Sequence, residues 1–111
     1  MISKGYIIRS KILKKIGFKK YRTYLKSDLW KKIRIKVLKK YKFRCYCCGI
    51  KATQVHHKKY SNNNISGKNI KQMVAICNKC HKNIEFFKNG KKNSLELANK
   101  KLEIKRKQYR R

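Results

Sequence analysis

Two Cys-x-x-Cys pairs, Cys45/Cys48 and Cys77/Cys80, stand 28 residues apart in a chain of 111. Two intervening residues let both sulfurs of a pair face one point, so two pairs can surround a single zinc ion at ~2.3 Å. The spacing therefore obliges residues 45–48 and 77–80 to meet, and the intervening chain must fold as a closed excursion. A fifth cysteine, Cys47, is read as a non-ligand because Cys48 fits the spacing better; the competing assignment exchanges the two. Chains this short bury a small share of their surface, and the binding energy of a structural Zn2+ is folding energy. Five cysteines used in this way fit an intracellular, reducing compartment, such as cytoplasm, nucleoid or an organelle matrix.

Charge narrows the partner. Lys and Arg total 34 against four acids, Asp28, Glu85, Glu96 and Glu103, for a formal charge of +30. A solvated surface kept for solubility mixes both signs, whereas this one repels itself unless a polyanion neutralises it. Nucleic acid is the expected partner. A membrane is not, since no apolar run approaches the roughly 18–20 residues that span a bilayer.

Periodicity gives an α+β order with flanking basic helices. Ile8, Ile12, Leu13 and Ile16 suit a short amphipathic helix broken near Gly17. Ser27 is a natural N-cap and Asp28 suits the positive end of the dipole. Trp30, Ile33, Val37, Leu38 and Tyr41 share one face of the helix that follows, which ends at 41–43. "QVHHKKY" reads as a strand, "SNNNISGKN" as a loop and "QMVAIC" as the returning strand. A helix through "NKCHKNIEFF", with Ile84 and Phe87 at helical spacing, should stop at Gly90. Ser94 then caps a last helix that turns Leu95, Ala98 and Leu102 inward. The organisation expected is a basic arm over 1–23, a zinc-binding domain over 24–90 and a basic C-terminal helix and tail over 91–111.

All three histidines fall between or beside the knuckles. His56 and His57 are neighbours on a strand and point to opposite faces, so they cannot share one role. His81 and Glu85, four apart on a helix, lie on one face where both can close on a single cation. The plainer readings are His81 as a zinc ligand beside Cys80 and Glu85 as a helix partner for a lysine.

The runs "YLKSDLWKKIRIKVLKKYKFRCYCCG", "VHHKKY" and "ICNKCHKNI", over about residues 24–87, resemble the zinc-knuckle branch of the HNH endonucleases. That resemblance implies a ββα-metal (His-Me finger) fold and metal-assisted hydrolysis of phosphodiester bonds, leaving 5′-phosphate and 3′-hydroxyl ends. It implies His56 and His81 as ligands of a catalytic divalent cation and His57 as the general base. Glu85 stands where many relatives carry a second helix histidine, and favours a harder ion such as Mg2+ or Mn2+. Gln72 stands where the family has an asparagine bracing the loop, with Asn69 nearby. The alternative is a catalytically silent HNH-like zinc protein acting as a ribosomal, rRNA-binding component; DNA is the substrate favoured for the enzyme.

Overall fold

The computed structural model describes residues 4–87 and 89–109, so residues 1–3 and 110–111 of the two expected arms, with residue 88, lie outside the described residues. The chain runs α1 (Lys4–Lys15), α2 (Tyr21–Lys26), α3 (Asp28–Lys40), β1 (Gln54–His57), α4 (Asn62–Ser66), β2 (Met73–Ile76), α5 (Asn78–Glu85) and α6 (Leu95–Tyr109).

Helix α1 ends as its glycine demands. Gly17 sits at φ 98°, and the N–H groups of Gly17 and Phe18 donate back to the carbonyls of Lys14 and Leu13 at 3.2 and 2.8 Å. These two bonds close a Schellman turn. Of the apolar thread, Ile12 and Leu13 are buried while Ile8 and Ile16 remain exposed. Helix α2 has no polar side-chain cap, which is why periodicity alone misses it; it is fixed by Tyr24, fully buried. The Tyr24 ring lies 5.6 Å from that of Trp30, tilted by 42°, and its hydroxyl donates to the Ile65 carbonyl at 2.9 Å.

Helix α3 starts where the sequence predicts: the Trp30 N–H donates to Ser27 Oγ at 3.1 Å, and Trp30, Ile33, Val37 and Leu38 are buried. It delivers the chain to the first knuckle through Lys42 and Phe43, both in the left-handed region. Strands β1 and β2 pair antiparallel with His56 opposite Val74 and His57 opposite Met73.

The stretch 61–69 is not all loop. Ser61 caps the single turn of α4 by accepting from the Asn64 N–H at 3.2 Å, and Ile65 is buried beneath it. Helix α5 also differs, ending at Glu85 rather than running on to Gly90. Asn93 is the reason: its N–H reaches the Glu85 carbonyl at 2.6 Å and its Nδ2 the Ile84 carbonyl at 2.8 Å. Those carbonyls are thereby satisfied without another turn, and Phe86 leaves in extended geometry to bridge Lys92. The expected pairing of Phe87 with Ile84 on one helical face is therefore corrected.

One core runs through the whole chain. Ile12 and Leu13 from α1, with Leu95 and Leu102 from α6, share it with the strands and α3. Ser94 caps α6 as expected, accepting from the Leu97 N–H at 3.2 Å. No helix among the described residues is long and apolar enough to cross a membrane.

Candidate metal centres

The first centre is built from two backbone turns. In the first knuckle the Cys45 N–H donates to the Ile50 carbonyl at 2.7 Å and the Gly49 N–H to the Cys45 carbonyl at 3.0 Å. Gly49 takes φ 79°, which a side chain would resist. The Tyr46 N–H, bonded to the Ala75 carbonyl at 2.8 Å, fastens this knuckle to β2. The second knuckle is the start of α5, where Cys77 is the N-cap and its sulfur accepts from the Cys80 N–H at 3.4 Å.

Cys45, Cys48, Cys77 and Cys80 bring their sulfurs within 4.8 Å of one another, and all are free thiols. Cys48 and Cys77 sulfurs lie 3.7 Å apart, matching the roughly 3.8 Å edge of a tetrahedron with ~2.3 Å zinc–sulfur bonds. The cluster could hold a metal ion. Its electrostatics fit that use: hydrogen bonds, first from the Cys47 side chain, favour the Cys45 thiolate, while burial pushes Cys48 and Cys80 up. Cys47 stands outside the cluster, its buried sulfur 3.6 Å from the Leu102 carbonyl.

The second centre gathers His56 from β1 with His81 and Glu85 from α5, whose ligand atoms also lie within 4.8 Å of one another. His81 Nε2 and Glu85 Oε1 are 2.8 Å apart. Burial alone would raise the Glu85 pKa, but the His81 contact outweighs it and the carboxylate is held below its ordinary value.

Two amides set the tautomers. Gln54 donates its Nε2 to Asn78 Oδ1 at 3.1 Å, so its Oε1 faces His81 Nδ1 at 2.6 Å and that nitrogen carries the proton. Asn99 donates its Nδ2 to the Lys58 carbonyl at 2.7 Å, so its Oδ1 accepts from His56 Nε2 at 2.8 Å. Gln54 and Asn99 thus engage one nitrogen of each ring, and His81 Nε2, the atom that faces Glu85, is the one that could ligate a cation there. Burial holds His56 down at about 4, so it is neutral at pH 7.

Gln54 and Asn99 are the residues that the sequence reading missed, and both had a signal. Gln54 is two positions before His56 and so shares its strand face. Asn99 interrupts the inward stripe of α6 between Ala98 and Leu102. Gln72, by contrast, is exposed, and its described contact is a backbone carbonyl accepting from the Lys58 N–H at 2.7 Å. The amides that reach imidazoles in this cluster are thus not the one expected at Gln72, nor its neighbour Asn69, whose side chain caps the local turn at Lys71. Replacing Gln54 or Asn99 by alanine should weaken Mn2+ binding at this centre about 10- to 100-fold. A Mn2+ titration of zinc-loaded protein reads this, with zinc content unchanged.

The structure does not bring His57 to either cluster. It is 3% exposed, stacked between Trp30 at 5.1 Å and Tyr60 at 4.8 Å. Burial, then the charges of His56 and Arg9, hold it down at about 3, so the ring is neutral. Its Nε2 is buried without a hydrogen-bond partner, as is Nε of Arg9.

His81 and Glu85 line a cavity of about 270 Å³ that Arg9, Tyr21, Arg34 and Lys92 also enter. Arg9 lies 3.9 Å over Tyr21 and Lys92 4.4 Å over Tyr6. Arg34 donates to the Thr53 carbonyl. Aromatic rings and a carbonyl thus contact these cations, beside the Glu85 carboxylate, whose ionised form Lys92 also favours.

No protein-family model, curated protein or solved structure matches the chain.

Proposed function

We propose that the chain is an HNH-like endonuclease that hydrolyses phosphodiester bonds of nucleic acid, DNA in preference to RNA. The observation that carries this reading is the convergence of His56, His81 and Glu85, of which His81 and Glu85 stand on the wall of a cavity lined by Arg9, Arg34 and Lys92. The order β1–β2–α5 around that point supports a ββα-metal fold, with Zn2+ on the four cysteines as its structural ion. A divalent cation held by His56, His81 and Glu85, Mg2+ or Mn2+, would withdraw charge from the phosphoryl group and the leaving 3′ oxygen. The 2.8 Å between His81 Nε2 and Glu85 Oε1 suits adjacent corners of an octahedron, roughly 3.0 Å apart for ~2.1 Å bonds.

The chain's own residues do the rest. Arg9, Arg34 and Lys92 neutralise the phosphate and hold it against the cluster. The resemblance makes His57 the general base; to take the proton of the attacking water as its oxygen bonds to phosphorus, its unpaired Nε2 must be uncovered from between Trp30 and Tyr60 when substrate binds. The bond from phosphorus to the 3′ oxygen breaks, and that oxygen is protonated from solvent.

The enclosure of His57 between Trp30 and Tyr60 favours a second reading, a catalytically silent scaffold that binds rRNA through its charge. One assay separates them: incubation with plasmid DNA and structured RNA in Mg2+ or Mn2+, beside His81→Ala. Cleavage by the parent alone, at equal zinc content, supports the enzyme. Intact substrate with both proteins, together with salt-resistant co-sedimentation with ribosomes, supports the scaffold.

A further inference from the structure

Helix α5 has a second working face. His81 and Glu85 turn toward the cluster, while Lys79, Lys82 and Asn83 recur at spacings of three and four on another side, with Phe86 just past the helix end. With Phe87 and Lys101 of α6 they line a separate cavity of about 400 Å³. Phe86 and Phe87 are 39% and 46% exposed. Their exposure is built in by the backbone. The Phe87 N–H donates to the Lys91 carbonyl at 2.8 Å, and Gly90 returns a bond to the Phe87 carbonyl at 2.9 Å. With the bridge of Phe86 to Lys92, these bonds hold the two rings on a short hairpin. The Lys101 ammonium stands 5.1 Å over the Phe87 ring.

We infer that this cavity is a docking site for single-stranded nucleic acid, in which a base stacks on Phe87 and Lys79, Lys82 and Lys101 take the flanking phosphates. Three ammoniums with no acid in the lining select a polyanion, and an exposed aromatic face among them selects one whose units carry a π-surface. A duplex keeps its bases stacked internally and offers that ring nothing. The inference needs no cation at the His56 cluster and stands apart from the cleavage reading.

The test is fluorescence anisotropy with labelled ten-nucleotide strands, one deoxyribo- and one ribo-, and a hairpin duplex. No divalent cation is added, and salt is kept at about 0.3 M to suppress charge-only binding. Phe87→Ala is expected to weaken single-strand binding by about 5- to 150-fold, equivalent to ~1–3 kcal/mol for one stacked base, and to leave duplex binding within about twofold. The two strands report whether DNA or RNA is preferred. Phe87→Trp guards against a folding defect: it should retain affinity, and its added fluorescence should be quenched by the single strands and not by the duplex. Equal losses on single strand and duplex, an unchanged single-strand affinity in Phe87→Ala, or an unquenched tryptophan would each overturn the inference. Since no bond is cut in this assay, its failure leaves the cleavage reading untouched, and failure of cleavage leaves this one standing.

Discussion

Cys77→Ser is expected to unfold the protein. Binding at a four-sulfur zinc site contributes on the order of 10–16 kcal/mol at pH 7, as large as the whole stability of a typical domain at about 5–15 kcal/mol. Cys77 also caps α5 through its sulfur, so the substitution removes one of the four sulfurs that could hold the ion and alters the start of the helix that carries His81 and Glu85. Circular dichroism should lose its helical signal, and zinc content should fall from one per chain toward none. Cys47→Ser is the matched control. Its sulfur faces the Leu102 carbonyl and lies outside the cluster, so zinc content and helical signal should persist. Loss of zinc from Cys47→Ser with retention in Cys48→Ser would reverse the assignment of the first knuckle.

His57→Ala is expected to lower the cleavage rate by about 10²- to 10⁴-fold, the range for a positioned general base. Alanine also leaves a gap between Trp30 and Tyr60, so a second variant is needed. His57→Phe keeps a ring between them and removes the unpaired Nε2, whose burial costs about 1–3 kcal/mol. It should melt no lower than the parent, retain zinc and Mn2+ binding, and cut as poorly as His57→Ala. A His57→Phe protein that cuts at the parental rate would make His57 a packing residue only.

The elements most legible in the sequence were those with local chemistry. Ser27, Gly17 and Ser94 act where their side chains or backbones predicted, and both cysteine pairs converge as their spacing demanded. What sequence alone missed depended on contacts distant in the chain. Helix α2 exists because Tyr24 is buried against Trp30 and Ile65. Helix α5 stops early because Asn93, eight residues beyond its end, satisfies its last carbonyls. The inward stripe of α6 was legible in Leu95, Ala98 and Leu102, but not that α1 and α6 pack against each other as well as into the core. Asn99, which fixes the His56 tautomer, comes from that C-terminal helix.

The site was legible in part for the same reason. A helical spacing of four placed His81 beside Glu85, and alternation along β1 separated His56 from His57. The strand brings His56 to the pair on α5, a juxtaposition that local pattern could propose and only tertiary packing could make. Gln72 was chosen for its place in a motif; it stands exposed in the turn before β2, while the amides that reach His81 and His56 are Gln54 and Asn99.

The central claim is that two distinct ions fit in this small body, one held by sulfur and one by nitrogen and oxygen. Mn2+ electron paramagnetic resonance on zinc-loaded protein tests it most directly. The account predicts one Mn2+ bound per zinc-loaded chain, lost in His81→Ala and in Glu85→Gln while zinc content stays the same. Absence of bound Mn2+ in the parent, or Mn2+ binding that survives both substitutions, would contradict it.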